Sequence, residues 1–143
     1  MKNLIYALLC GAVFVSCKKE SGPSPAEQLR NVWVANVVKE GSTTVFTKGA
    51  TSNARPGYSQ FRLDLSSPSA RLTELDGNTF VGTWELSADE KALTLKSLNP
   101  QPTNTGGIIA YTIGSVSNTD LMLTRTTTNP KTGGSVNVYS LTK

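Results

Sequence analysis

The sequence predicts an all-β domain: an antiparallel sheet of about eight strands that closes into a barrel or, alternatively, folds into a β-sandwich, preceded by one short helix. Three observations predict it. Short runs rich in Val, Ile, Leu, Thr and aromatic residues recur from Val32 to the C-terminus, turn residues separate them, and no helical pattern lies between them. Many short strands must each hide one face, and a sheet does so by closing on itself or by stacking on a second sheet.

The elements follow in order. Ser24-Pro25-Ala26-Glu27 is a helix start, with Ser as cap, Pro at the first helical position and Glu three residues after the cap; the helix lasts to about Leu29 or Arg30. Candidate strands are Val32–Lys39, Thr43–Thr47, Tyr58–Leu65, Arg71–Leu75, Thr79–Leu86, Ala92–Lys96, Ile108–Val116, Leu121–Thr126 and Val136–Thr142. Several alternate cleanly. Phe61, Leu63 and Leu65 oppose Arg62 and Asp64; Phe80, Trp84 and Leu86 oppose Thr83 and Glu85; Leu93 and Leu95 oppose Thr94 and Lys96; Ile109, Tyr111 and Ile113 oppose Ala110, Thr112 and Gly114. A period of two means one buried face and one wet face. Asp76-Gly77 is a hairpin turn, and Asp89–Lys91, Ser117–Thr119 and Asn129–Gly134 are loops between strands. The longest clear loop, Asn99 to Gly107, is polar and holds two prolines, and Gly49–Gly57 is also irregular. Loops of that kind at a barrel rim are suited to binding contacts.

Ahead of the domain, Met1 to Cys17 has the layout of a secretory signal peptide: a positive start at Lys2, an apolar run from Leu4 to Val15, and the small residue Ser16 before Cys17. As a helix, such a run would rise only about 18 Å against a hydrocarbon core of roughly 30 Å. Phe14-Val15-Ser16-Cys17 resembles a lipobox, the cleavage site of bacterial lipoproteins, whereas Cys10 follows the large Leu9. The resemblance implies cleavage before Cys17 and acylation of its thiol and amine, palmitate being a typical chain; two or more chains anchor a protein stably. Lys18-Lys19-Glu20 then looks like the charged start of lipoproteins of the Bacteroidota, which implies the cell envelope, the outer membrane and display at the surface. The expected division is a signal peptide over 1–16, the lipidated Cys17 with a Pro-containing tether over 17–24, and the β-domain over 25–143.

Composition narrows the chemistry. About 120 residues remain for a single domain, enough to bury roughly two thirds of the chain's surface. Cys10 leaves with the signal and Cys17 is acylated, so an apolar core, not a disulfide, must supply the stability. The net charge of +4 is spread along the chain, and no basic run interleaves with aromatics as nucleic-acid binding would require. The chain has no histidine, which removes Ser-His-Asp and Cys-His catalysis and His-ligated metals. No phosphate loop, dinucleotide fingerprint or EF-hand loop occurs. The carboxylate pairs Glu74 with Asp76 and Asp89 with Glu90 fall at turns, where solvated carboxylates are common. The expectation is a protein that is not an enzyme and holds no cofactor or metal.

A short helix, Asn31-Val32-Trp33, then Gly82-Thr83-Trp84-Glu85-Leu86, a turn with Asp89, Leu93-Thr94-Leu95, Tyr111-Thr112-Ile113 and Asp120-Leu121-Met122-Leu123 come one after another. This order resembles the lipocalin-like domains of small Bacteroidota lipoproteins, over most of residues 25–143. The resemblance implies an eight-stranded up-and-down barrel. Such a barrel is just wide enough to be filled by side chains or to hold one small ligand. Two functions fit. In one, a small apolar ligand sits in the barrel, lined by Trp33, Phe61, Trp84 and Tyr111. In the other, these rings and Phe80 fill the core, and the surface loops bind a protein partner in the envelope.

Overall fold

The computed structural model describes residues 22–143; the signal peptide, Cys17 and Lys18-Lys19-Glu20 lie outside the described residues. Helix α1 (Pro25–Leu29) begins as the capping signature requires. The Ser24 hydroxyl accepts from the Glu27 amide at 3.3 Å, and the Glu27 carboxylate accepts from the Ser24 amide at 2.8 Å. Leu29 ends the helix fully buried, and the Trp33 indole N–H donates to the Leu29 carbonyl at 3.0 Å, fixing the helix across the barrel mouth.

Nine strands come next: β1 (Val32–Glu40), β2 (Thr43–Thr47), β3 (Arg62–Asp64), β4 (Ser69–Thr73), β5 (Thr79–Leu86), β6 (Ala92–Asn99), β7 (Ile109–Val116), β8 (Asp120–Arg125) and β9 (Asn137–Thr142). From β3 onward each pairs antiparallel with the next, β3 pairs with β1, and β9 returns to β1. That is a closed ring of eight strands, so the barrel holds and the sandwich does not. Strand β2 stands outside the ring.

The two edges of β1 account for its position. One edge is taken by β9. The other is divided: Val32–Val34 pair with β3, and Val37–Glu40 pair with β2. Both partners run antiparallel to β1, so β2 and β3 are two collinear pieces of one wall position, and residues 48–61 leave the wall between them. The expected single strand Tyr58–Leu65 is thereby corrected: Pro56–Gln60 form a 3-10 helix, and only Arg62–Asp64 pair as strand. Pro56 has no N–H for a ladder and presets the helical φ. Gly57 packs so closely on the Leu75 carbonyl that a Cβ would overlap it. Gly82 does the same in β5: it sits at a bulge against β6, its backbone touching the Lys96 carbonyl, opposite Ser97 at φ 53°.

The alternating residues are the core. Phe61, Leu63, Leu65, Leu93, Leu95, Tyr111, Leu121, Leu123, Tyr139 and Leu141 all point into the barrel and are buried. At about 25 cal/mol per Å² of apolar surface, each such side chain contributes roughly 1.5–3 kcal/mol. The two ends differ. At the helix end, α1 and the hairpin turns after Leu86 and Val116 close over Leu29, Trp33 and Leu141. At the loop end lie the β1–β2 turn, the Asp76-Gly77 turn and the loops 100–108 and 126–136.

Candidate functional site

Period-two alternation carries two charges into the barrel at the loop end. Along β4 and its extension, the inward series Ala70, Leu72 continues to Glu74; along β8, Leu121, Leu123 continues to Arg125. Both charged residues are buried, Glu74 at 5% exposure and Arg125 at 2%. Glu74 is therefore not the solvated turn carboxylate its position beside Asp76-Gly77 suggests; Asp76 is exposed as expected. A second cation comes from across the mouth. Lys131, on the 3-10 helix Pro130–Thr132, places Nζ 2.6 Å from Glu74 Oε2 and 2.7 Å from Asp76 Oδ2, and 5.1 Å from the centre of the Phe80 ring. Burial pushes Asp76 upward, but hydrogen bonds from Lys131 and Asn78 outweigh it and hold the carboxyl below its ordinary value. Burial likewise opposes the charge on Lys131, and its bonds to Asp76 and Glu74 outweigh that, raising it.

Arg125 fares differently. Its nearest charge contact is Nη1 to Glu74 Oε1 at 3.6 Å, beyond hydrogen-bonding distance, and its Nε and Nη1 are buried without a hydrogen-bond partner; Glu74 Oε2 is also buried without one in good geometry, its contact with Lys131 being an ion pair. Beside it opens a recess of about 400 Å³, which Arg125 lines together with Asn104, Thr105, Thr127 and Thr128.

The rest of the loop end is a hydroxyl network. Asn137, fully buried, donates from Nδ2 to the Tyr58 and Tyr139 hydroxyls at 3.0 and 3.2 Å, and its Oδ1 accepts from the Thr132 and Ser135 hydroxyls. Tyr58 donates to Glu40 at 3.1 Å, and Arg55 pairs with Glu40 at 3.4 Å. Burial pushes the Tyr139 hydroxyl up to about 12, and burial raises Tyr58 and Tyr111 well above the ordinary tyrosine value. Below these hydroxyls the rings touch in series. Phe46 meets Tyr58, Tyr58 meets Phe61 and Tyr139, Phe61 stacks on Tyr139 at 4.8 Å between centres, and Tyr111 meets Tyr139 edge-on at 6.0 Å.

Phe46 begins that series at an opening in the wall. Between the β2 pairing at Val37 and the β3 pairing at Val34, no strand covers Ala35 and Asn36; only the Lys48 amide reaches in, to the Asn36 carbonyl at 2.7 Å. A recess of about 480 Å³ lies there, floored by Ala35 and Phe46 and rimmed by Lys48, Ala50, Pro56 and Ser59. Its rim is held in shape. Asn53 accepts from the Thr47 amide at 2.7 Å and donates to the Thr47 carbonyl at 3.1 Å, and the Arg55 amide donates to the Val45 carbonyl at 3.0 Å. These bonds also cover the outer edge of β2, which would otherwise be an open sheet edge.

Of the residues the sequence singles out as ligand lining, Trp33, Phe61 and Tyr111 are fully buried in the barrel, packed against other core side chains. Trp84 is inward but only half-buried, at the helix end, where its indole N–H donates to the Ser67 carbonyl at 2.8 Å and Arg30 lies 5.7 Å over its ring. The four are therefore not one surface. Of the two loops, Gly49–Gly57 supplies most of the wall opening's rim, and Asn99–Gly107 supplies Asn104 and Thr105 to the recess beside Arg125. Asp89 and Glu90 are exposed at their turn, the Asp89 carboxyl held below its ordinary value by the Ser87 hydroxyl and the Lys91 amide. Sequence reasoning missed Arg125, Lys131 and Asn137. For Arg125 a signal existed, since the alternation Leu121, Leu123 extends to it; Lys131 and Asn137 carry no such pattern.

No family model matches the chain, and no curated protein matches it. Solved structures do. A lipocalin-like protein from Bacteroides uniformis superposes with a TM-score of 0.51 at 15% identity, over 81% of this chain and 98% of that one. A protein from Bacteroides eggerthii aligns with a TM-score of 0.49 at 11% identity, over 79% and 97% of the two chains. The first likeness agrees with the ring of eight strands: the fold is a lipocalin-like barrel.

Proposed function

We propose that the protein is a membrane-anchored envelope lipoprotein that binds a small, largely apolar molecule at the opening in the barrel wall. The observation that carries the reading is the recess over Ala35 and Phe46 where the β2–β3 wall position is interrupted. At about 480 Å³ it falls in the size range of small-ligand sites, roughly 300–1,000 Å³. Val34, Ala50 and Pro56 add apolar lining, and Lys48 and Ser59 are the polar groups that would orient a ligand. Phe46 is the contact ring, and Phe61 and Tyr111 stand behind it through the ring series, so the expected aromatic lining acts as backing. Trp33 supports the same wall two residues before Ala35; Trp84, at the far end, takes no part. On this reading the function is binding without turnover, and the carboxylates of Glu74 and Asp76 both engage Lys131. The anchor rests on the likeness of residues 14–17 to a lipobox.

Titration of the full chain in detergent with an apolar anilinonaphthalene dye tests the site. Saturable one-to-one binding is expected, lost in Ala50→Trp, which fills the recess from its rim, and kept in Trp84→Ala. No saturation, or a loss in Trp84→Ala with Ala50→Trp unaffected, would overturn the site. For the anchor, palmitate labelling in cells should be abolished by Cys17→Ser; an unlabelled wild-type chain would sink it.

A further inference from the structure

The loop end has an imbalance that the barrel's own side chains do not correct. Two cations and two carboxylates meet there, yet both carboxylates turn to Lys131, at 2.6 and 2.7 Å, while the more deeply buried cation, Arg125, is left with one contact at 3.6 Å. A guanidinium presents donors in a fork that matches two oxygens of a carboxylate or phosphate. Buried donors of this kind are nearly always paired in native proteins, and an orphaned one calls for a partner. Here Nε and Nη1 are buried without one. The residue carrying them lines a recess of about 400 Å³ together with Asn104, Thr127 and Thr128, residue types that hydrogen-bond anionic oxygens, and with the apolar Ile108, Ala110 and Pro130. The two polar groups on the same wall that already have partners are Thr105, bonded to the Pro102 carbonyl and the Gly107 amide, and Thr126, bonded to the Ala110 carbonyl.

We infer that the loop-end recess binds an anionic oxygen group, a carboxylate or an inorganic oxoanion, with Arg125 as its receptor. The anion supplies the oxygens that Glu74 cannot, because Lys131 holds Glu74 in place. This site stands on different residues from the wall opening, and neither needs the other.

Calorimetric titration of the full chain in detergent, with octanoate, acetate, inorganic phosphate and sulfate as probes, tests it. The variant is Arg125→Met/Glu74→Gln, which removes the cation without leaving its carboxylate buried and charged; near-ultraviolet circular dichroism checks that its tyrosines remain ordered. Lys48→Met serves as the control at the wall opening. Saturable binding of at least one probe, weakened tenfold or more in the double variant and unchanged in Lys48→Met, is the expected result. Binding of octanoate alone would assign an organic acid with an apolar tail, and binding of phosphate or sulfate an inorganic oxoanion. Binding that is equal in wild type and double variant, that is lost in Lys48→Met, or that fails to saturate for all four probes would overturn the inference. A double variant that has lost its tyrosine dichroism is replaced by Arg125→Lys, in which the same tenfold weakening is required because ammonium cannot reproduce the fork.

Discussion

The helix end and the loop end of this barrel are closed by opposite means. At the helix end, Leu29, Trp33, Leu65 and Leu141 are all fully buried, and the one polar atom of Trp33 is satisfied by the Leu29 carbonyl. At the loop end, Glu74, Arg125 and Asn137 occupy inward positions that an apolar residue could fill, and tyrosine hydroxyls face them. Apolar closure is stabilising wherever shapes fit. Polar closure stabilises only if every group finds its partner, and one left unpartnered is costly. The difference separates the two ends by demand: among the described residues the unpartnered buried side-chain atoms are those of Glu74 and Arg125, at the loop end.

The largest effect expected from breaking this contrast is at the helix end. Trp33→Ala should cost about 3–5 kcal/mol in urea denaturation, since it opens a ring-sized cavity and releases α1. A cost below about 1 kcal/mol would show that the helix end is not what holds the barrel shut. Glu74→Gln should cost less, about 3 kcal/mol, because Arg125 then lies buried with no countercharge. Replacing both members as Glu74→Met/Arg125→Met should recover most of that loss, which no double replacement at the helix end would do. If the double variant is no more stable than the single one, Glu74 does not balance Arg125.

The smallest effect sharpens the comparison through pH. Tyr139 ionises at about 12 in the fold against an ordinary value near 10 in the unfolded chain. Above pH 10 the unfolded state loses a proton that the folded state keeps, so stability is full below pH 10. It falls by about 1.4 kcal/mol per pH unit up to about 12. Tyr58 and Tyr111 are raised in the same direction and add to the fall. Tyr139→Phe should make the alkaline decline shallower, and tyrosinate absorbance should lag behind that of the urea-unfolded chain. An unchanged slope would mean that Tyr139 is not protected.

Alternation made much of the barrel legible, and its limits explain the rest. The inward positions of Phe61, Leu63, Leu65, Leu93, Leu95 and Tyr111 come from their period of two, and Ser24 and Glu27 announce the helix. The same period also marks Glu74 and Arg125 as inward, but a carboxylate beside Asp-Gly reads as solvated, and one charged residue at a strand end reads as the strand's exit. The countercharge that lets Glu74 stay buried comes from Lys131, which arrives from a distant loop. The 3-10 helix Pro56–Gln60 was hidden because Tyr58 and Phe61 are strand-like residues, whereas the contact that bends the chain there is between Gly57 and the Leu75 backbone, and no local pattern encodes it.

The divided edge of β1 has a consequence for motion. Because β3 and β9 close the ring by themselves, β2 and residues 48–55 can detach from β1 without breaking any pairing of the eight-stranded ring, while Tyr58 and Phe61 stay in the core. Such a segment opens as its own cooperative unit, at a free energy below that of global unfolding. The amides of Thr43–Thr47 should then exchange with deuterium on a faster clock than those of β7 to β9. The wall opening could widen to admit a guest while the barrel around it stays folded.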